Sequence, residues 1–132
     1  LRMIDAGPMH RFMDSERGRI SILNLASVRD FETRLGRTVD PLRFRANLWV
    51  EGWPAWIENE IREPLLVGEV RLRPEKPIVR CAATEVNPQT AERDMEVVKA
   101  LFDQYGHTFC GLYASIETGG RIAIGDAVTT RV

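Results

Sequence analysis

The chain has 132 residues, of which 44% are hydrophobic and 28% are charged, and its net charge is −1. This size and composition are those of one ordinary globular domain, and the charge excludes a strong general attraction to nucleic acid or to an anionic membrane. No apolar segment approaches the roughly 18 residues that a membrane span requires, and the N-terminus has no signal-peptide core. We therefore expect one cytoplasmic domain.

The basic residues and the cysteines give two further indications. All but two of the 18 basic residues are arginines, the exceptions being Lys76 and Lys99. Arginine is suited to paired hydrogen bonds with phosphate or carboxylate. Cys81 and Cys110 are the two cysteines, and in a cytoplasmic protein we expect both thiols to be reduced. Their spacing, and that of the histidines, is not typical of a zinc site.

The first third of the chain predicts a short strand and a helix. Residues 1–12 predict a strand and a turn around Gly7-Pro8. Ser27-Val28-Arg29-Asp30 fits a capping box, so a helix is predicted to begin there and to end at Gly36. The apolar face of this helix consists of Val28, Phe31 and Leu35.

Residues 43–50 alternate between apolar and polar side chains, which predicts a strand. Its apolar face carries Phe44, Ala46, Leu48 and Val50. Its other face carries Arg43, Arg45, Asn47 and Trp49. A strand with two guanidinium groups and an amide on one face lies either at the surface or along a binding cleft.

The middle of the chain predicts two more strands. Residues 65–73 predict a strand interrupted at Gly68, and Pro74 and Pro77 predict a turn. Residues 78–86 predict the next strand. One of its faces carries Val79, Cys81, Ala83 and Glu85, and the other carries Ile78, Arg80, Ala82, Thr84 and Val86.

A second helix is predicted to begin near Asp94 and to end at Gly106. We expect His107 to stabilise the end of this helix by its charge. The apolar stripe of the helix consists of Val98, Leu101, Phe102 and Tyr105.

Three short strands complete the chain. Residues 108–117 predict a strand that continues through a hairpin at Gly119-Gly120 into residues 121–124, and residues 127–131 predict a last strand. Several short strands with two or three short helices indicate a mainly β protein, and we expect a mixed β-barrel.

Four short motifs follow one another along the chain. Arg43-Phe44-Arg45-Ala46-Asn47 resembles R-F-R-P-N, and Gly68-Glu69-Val70 resembles G-[DE]-[VA]. Arg80-Cys81, followed by Thr84, Val86, Asn87-Pro88 and Thr90, resembles R-C-x-x-T-x-V-x-P-x-T-G. Gly120 to Val128 resembles G-x-I-x-[VI]-G-D-x-V. In this order the motifs resemble those of MOSC domains, which are named after the C-terminal domain of the molybdenum cofactor sulfurase. Ala46 and Ala91 stand where that family has proline and glycine.

The resemblance implies a MOSC-type barrel, similar to that of pyruvate kinase, that holds a molybdenum cofactor, molybdopterin. It makes Cys81 the catalytic residue, as molybdenum ligand or sulfur carrier, because a thiolate suits that metal. It implies that Arg45 contacts the cofactor's phosphate and Asn47 the pterin edge. The family is also associated with pyridoxal phosphate. Further candidate contacts are Ser27, at the predicted helix start, and Arg43, Arg80 and Thr84.

Three functions remain open on this resemblance. The first is a part of a reductase of N-hydroxylated compounds that takes electrons from a redox partner protein. The second is a sulfur carrier that holds a persulfide on Cys81 after a cysteine desulfurase has loaded it. The third is a non-catalytic barrel that binds a partner protein. The nearest members, the mitochondrial amidoxime-reducing components, have a further N-terminal barrel domain. We therefore expect residues 1–132 to be a single MOSC domain without that domain.

Overall fold

Short apolar segments separated by prolines and glycines form a strand-rich fold. A computed structural model describes residues 2–4, 10–13 and 18–130. The strands in this part of the chain are β1 (Arg2–Ile4), β2 (His10–Met13), β3 (Arg19–Asn24), β4 (Leu48–Glu51), β5 (Leu65–Val67), β6 (Val70–Val79), β7 (Phe109–Thr118), β8 (Gly120–Ala123) and β9 (Val128–Thr130).

Seven of these strands form one sheet in the order β1-β4-β3-β7-β6-β5-β9. The β3–β4 pair is parallel and the other pairs are antiparallel, so the sheet is mixed. The sheet curls into a nearly closed barrel. Strands β2 and β8 pair with each other outside it. The expected mainly β, mixed barrel is therefore confirmed.

Two apolar clusters hold the fold together. Alternate residues of the strands point into the barrel, because successive side chains of a strand face opposite ways. Ile22, Leu48, Leu72 and Leu112 are among the buried residues of that interior. The second cluster lies between the helices and the barrel wall and contains Val28, Phe31, Leu101 and Cys110, among other buried residues.

The first helix, α1, spans Leu25–Leu35 and ends at Gly36, which is left-handed with a φ of 69°. The predicted capping box is wrong, because the N-cap is Asn24, whose side chain accepts a hydrogen bond from the N–H of Ala26. The N-cap thus lies three residues earlier than predicted, and Ser27 lies inside the first turn of the helix. The predicted apolar face is confirmed for Val28 and Phe31, which are fully buried.

The second helix, α2, spans Val97–Tyr105 and ends at Gly106 as predicted. It begins after Asp94, not at it, because the Asp94 carboxylate is bound elsewhere to Arg43. Its buried residues are Val97 and Leu101. Phe102 is 59% exposed, so its place in the predicted apolar stripe is wrong.

The predicted strand over residues 43–50 is wrong in its first half. Asp40 accepts a hydrogen bond from the N–H of Leu42, and Pro41 follows it, which favours the start of a helical turn. Pro41–Phe44 is accordingly a 3-10 helix, and Arg45 after it is left-handed. Because β4 begins only at Leu48, Arg43 and Arg45 do not share a strand face.

The predicted strand over residues 78–86 is likewise wrong after Val79. There β6 ends and a 3-10 helix, Ala82–Glu85, follows. The physical cause is local, since both the N–H and the hydroxyl of Thr84 donate to the carbonyl of Cys81. The alternation that placed Arg80 and Cys81 on opposite faces therefore does not apply.

Other predicted turns also differ. Pro74 and Pro77 lie within β6, which pairs with β5 only as far as Leu72. Beyond Leu72, the edge of β6 opposite β7 has no ladder partner in the described part of the chain, so a proline without an N–H is tolerated there. Gly68 lies in the turn that joins β5 to β6 rather than interrupting one strand. Gly119-Gly120 does not close a hairpin, because β8 pairs with β2. The predicted turn at Gly7-Pro8 lies outside the described residues, and no helix within them is long and apolar enough to cross a membrane.

Candidate functional site

Cys81 lies on the surface at the point where β6 leaves the barrel. The N–H of Arg80 donates to the carbonyl of Thr108 over 2.8 Å, which holds the end of β6 against the start of β7. The carbonyl of Cys81 accepts the N–H and the hydroxyl of Thr84, at 3.1 and 2.8 Å. The backbone of Cys81 is thus held on both sides, while its side chain is exposed as a free thiol. Thr84 itself is buried, so it supports the loop from beneath.

The guanidinium of Arg80 points inward from the same position. Its Nε donates to the carbonyl of Cys110 at 2.7 Å and its Nη1 to the carbonyl of Phe44 at 3.0 Å, with the Phe44 ring 5.1 Å away. Burial lowers the pKa of Arg80 from its ordinary value. A side chain at Gly111 would place its Cβ 3.0 Å from Nη2, so this glycine makes room for the arginine. Arg80 therefore joins three segments beneath the surface.

The buried side chain of Arg43 also links two segments of the fold. Its side chain is 4% exposed, and its Nη2 lies 2.6 Å from a carboxylate oxygen of Asp94 while its Nη1 donates to the carbonyl of Thr84. The other oxygen of Asp94 accepts the side-chain amide of Asn87 at 2.8 Å. The hydrogen bond from Asn87 makes the largest contribution to lowering the pKa of Asp94, and the bond from Arg43 lowers it further. The loop that follows Cys81 is thereby tied to the 3-10 helix Pro41–Phe44.

Arg45 and Asn47 are the members of the predicted set that remain at the surface with Cys81. The bond from Arg80 to the carbonyl of Phe44 links the residue that precedes Cys81 to the residue that precedes Arg45. Within the described residues the Arg45 side chain is exposed and has no hydrogen bond or ion pair. The Oδ1 of Asn47 accepts two hydrogen bonds from Ser21, whereas its amide N–H groups have no partner in the described part of the chain.

Ser27 does not lie with this group. It is fully buried, and its hydroxyl donates to Glu58 over 2.7 Å and accepts the N–H of Trp56. Glu58, which the sequence did not single out, is also fully buried and accepts a hydrogen bond from Asn24 at 2.9 Å. Burial raises the pKa of Glu58, against the opposing effect of these hydrogen bonds. The hydroxyl of Ser27 is therefore part of an internal polar network.

A cluster of aromatic rings borders the Cys81 loop. The ring of His107 is stacked between Tyr105 and Phe109, with centroid distances of 5.6 and 5.2 Å. Burial lowers the pKa of His107, and its Nδ1 accepts the N–H of Phe109. Both effects disfavour the positive charge that was predicted to stabilise the end of α2. The alternation Tyr-x-His-x-Phe was the sequence signal for such a cluster.

The described residues contain no group of three or more histidine, cysteine, aspartate or glutamate side chains that could hold a metal ion by itself. A molybdenum cofactor does not require one, because its pterin dithiolene holds the metal and a single protein thiolate can complete the site. The donor set of Cys81, Arg45 and Asn47 therefore fits such a cofactor chemically.

The chain is similar in sequence to known proteins. The family model "MOSC domain" matches residues 9–129. Mitochondrial amidoxime-reducing component 1 of Mus musculus is 33% identical over 119 residues, which cover 81% of this chain and 35% of that protein. The Homo sapiens protein of the same name is 29% identical, with 92% of this chain and 39% of that protein covered. The chain thus spans little more than a third of the length of these relatives.

Solved structures share the fold at low identity. YiiM from Geobacillus stearothermophilus superposes with a TM-score of 0.65 at 17% identity, over 86% of this chain and 54% of that one. The YUAD protein from Bacillus subtilis superposes with a TM-score of 0.67 at 15% identity, over 97% and 84% of the two chains. These superpositions show that the barrel is common to all three proteins.

Proposed function

Because the chain belongs to the MOSC domain family, we propose that it binds a molybdenum cofactor at the surface formed by Cys81, Arg45 and Asn47. The observation that supports this most directly is the free thiol of Cys81, which is exposed on a backbone held by Arg80 and Thr84. When bound, the cofactor supplies a metal centre capable of electron transfer to a substrate. The chain's own residues bind and orient it.

Each of the three surface residues has a distinct part in this binding. The Cys81 thiolate is a soft donor, suited to molybdenum. The Arg45 guanidinium has no competing partner in the described residues and can hold a phosphate through two parallel hydrogen bonds. The amide N–H groups of Asn47 can donate to the acceptor atoms of a pterin ring. Because Oδ1 of Asn47 is bonded to Ser21, its amide plane is already oriented before any ligand arrives.

The remaining candidate residues act from beneath the surface. Arg80 and Thr84 hold the backbone of Cys81, and Arg43 holds the loop that follows it. Ser27 is engaged with Glu58 and contributes to the internal network. This division assigns direct contact to three residues of the predicted set and a supporting role to the other four.

We assign to this chain the cofactor-binding part of a reductase, with residues 1–132 as one MOSC domain. Reduction of an N-hydroxylated compound would need electrons from a redox partner protein. The names of the mitochondrial amidoxime-reducing components support this assignment. We propose the complete reductase activity for a protein that combines this domain with the part of those relatives that this chain does not span.

The experiment is expression of the chain in a bacterial host that makes the cofactor, followed by measurement of bound molybdenum and of pterin fluorescence after oxidation. We expect both in the wild type and neither in Cys81→Ser. Cys110→Ala is the matched control, because Cys110 is fully buried in the second apolar cluster and its loss should leave binding intact. Wild-type protein that contains no molybdenum or pterin, and gains none on incubation with released cofactor, would refute the proposal.

A second pair of variants tests the phosphate contact. Arg45→Gln should lower cofactor content, because the phosphate loses a charged partner. Arg73→Gln is the matched control, since Arg73 is an exposed arginine on β6 outside the proposed surface. Equal losses in both variants would show a general charge effect and contradict the role of Arg45.

The exposure of Cys81 also favours a second function, that of a sulfur carrier. In this reaction the Cys81 thiolate attacks the outer sulfur of a persulfide on a cysteine desulfurase. A new sulfur–sulfur bond forms on Cys81, and the desulfurase thiol leaves. Mass spectrometry after incubation with a desulfurase and cysteine should then show an adduct of roughly 32 Da, one sulfur atom, in the wild type and not in Cys81→Ser. Absence of the adduct from the wild type excludes this function.

A further inference from the structure

A cleft beside α1 has none of Cys81, Arg45 and Asn47 among its lining residues. Its volume is about 480 Å³, which is within the range of about 300–1,000 Å³ that is usual for small-molecule sites. Its floor is formed by Leu25 and Val28 of α1, Val39 of the following loop and Trp49 of β4. The first three are buried side chains of the second apolar cluster. The floor is therefore apolar and fixed by the packing of the core.

Charged groups of both signs stand at the rim of this cleft. Arg29 is exposed, and within the described residues its guanidinium has no hydrogen bond or ion pair. Glu32 accepts the N–H of Val39 at 2.8 Å with one carboxylate oxygen, and its other oxygen has no partner in the described part of the chain. Asp40 is already bonded through both of its oxygens. Among the residues that the structure describes, the rim thus has one cation and one carboxylate oxygen without a partner.

Arg29 and Glu32 are three residues apart on α1, which places them on the same side of the helix. No ion pair joins them within the described residues. A ligand that carries an anion and a cation close together can contact both, whereas a ligand with a single charge leaves one of them without a partner. The indole of Trp49 adds a flat surface on which an apolar body, or the edge of an ammonium group, can rest.

We propose that this cleft binds a small zwitterion with an apolar side chain, the chemistry of a hydrophobic amino acid. Arg29 binds its carboxylate, Glu32 binds its ammonium group, and the apolar side chain lies on Leu25, Val28 and Trp49. This site requires neither molybdenum nor Cys81. Its failure in the experiment below would therefore leave the proposed cofactor binding untouched, and the reverse holds as well.

The test uses three probes with the same apolar body. L-phenylalanine carries both charges, phenethylamine carries the ammonium group alone, and 3-phenylpropionate carries the carboxylate alone. Binding is followed by the NMR signal of the Trp49 indole N–H, which is identified by its loss in Trp49→Phe. We expect L-phenylalanine to bind about fivefold or more tightly than either single-charge probe, because each of them lacks one charged hydrogen bond at an exposed rim.

Two variants should each weaken the binding of a different single-charge probe. Arg29→Gln should weaken L-phenylalanine and 3-phenylpropionate but leave phenethylamine unchanged. Glu32→Gln should weaken L-phenylalanine and phenethylamine but leave 3-phenylpropionate unchanged, while its side-chain oxygen can still accept the N–H of Val39. The matched control is Arg37→Gln, an exposed arginine that does not line this cleft, and it should bind all three probes as the wild type does.

Three results would overturn the inference. The first is that none of the probes shifts the Trp49 signal at millimolar concentration. The second is that a single-charge probe binds as tightly as L-phenylalanine, which would make the cleft a simple cation or anion site. The third is that Arg29→Gln and Arg37→Gln behave alike, because the exposed charge of Arg29 would then have no specific partner.

Discussion

Replacement of the buried Glu58 by alanine tests the internal network that joins the end of β3, α1 and the segment before β5. The Glu58 carboxylate accepts hydrogen bonds from the Ser27 hydroxyl and from one N–H of the Asn24 side-chain amide. The other N–H of that amide donates to the carbonyl of Pro54 and is unaffected. Alanine thus leaves two buried donors without partners, the Ser27 hydroxyl and one Asn24 N–H. Each buried donor without a partner costs about 1–3 kcal/mol, and a water molecule that enters the space recovers part of this cost. We therefore expect the free energy of unfolding to fall by about 3 kcal/mol.

The glutamine variant of Glu58 isolates the charge, because it keeps the volume and one acceptor oxygen. Burial raises the pKa of Glu58 above its ordinary value of 4.5. The folded protein therefore retains a proton that the unfolded chain has released, and wild-type stability falls as the pH rises from 4.5 through the raised pKa. The fall is about 1.4 kcal/mol for every pH unit between the two pKa values. Glu58→Gln lacks this pH-dependent contribution. The difference in free energy of unfolding by which the wild type exceeds Glu58→Gln should therefore shrink as the pH rises.

The assay is urea unfolding followed by circular dichroism at several pH values above 4.5, with the free energy of unfolding extrapolated to water. Comparison of the two proteins at each pH removes the contribution of His107, whose lowered pKa acts in the opposite direction. Glu60→Ala is the control for the alanine variant, because Glu60 is exposed and only two residues away, and its effect should stay within about 0.5 kcal/mol. A deficit of Glu58→Gln that is constant or grows with pH would refute the reasoning, as would a Glu58→Ala variant as stable as Glu60→Ala.

Three further predictions concern single residues. Ala91 is left-handed, with a φ of 63°, so Ala91→Gly should raise the free energy of unfolding by about 0.5–1 kcal/mol; a decrease would contradict it. Gly111 has a φ of 102° and no room for a side chain beside Arg80, so Gly111→Ala should destabilise the chain by about 2 kcal/mol or more and lower its cofactor content. An unaltered denaturation midpoint would show that the close approach is not limiting. Tyr105 donates to Asp30 over 2.7 Å, so Tyr105→Phe should cost about 1 kcal/mol in thermal or urea unfolding, and no loss would mean that water replaces the bond.

Patterns that depend on close neighbours in the chain were predicted well. The C-terminal ends of both helices were predicted correctly, because Gly36 and Gly106 supply the left-handed conformation that ends a helix. The strand β7 was predicted with its bounds shifted by one residue. The alternation of its side chains is a local property of an extended chain, and it also indicated the barrel class.

The errors arose where a local pattern had two solutions and a distant contact selected one of them. Residues 43–47 alternate as a strand does, yet Asp40 and Pro41 begin a 3-10 helix that places Arg43 against Asp94, 51 residues away. The helix start at Ser27 was wrong for a similar reason. Both Asn24 and Ser27 are suitable caps, and Ser27 is bonded to Glu58, 31 residues away.

The exposed thiol of Cys81 was assigned from the motif R-C-x-x-T, and that motif also carried the family and the type of barrel. The sequence by itself therefore determined the fold class, the family and the identity of the candidate residues, because short motifs and alternation are local. Only the tertiary structure decided which of the seven candidates face the solvent. Arg80, Arg43, Thr84 and Ser27 find partners within the fold, whereas Cys81 and Arg45 have free side chains among the described residues. The physical reason is that a buried polar group needs a partner, and the position of that partner is known only when the chain is folded.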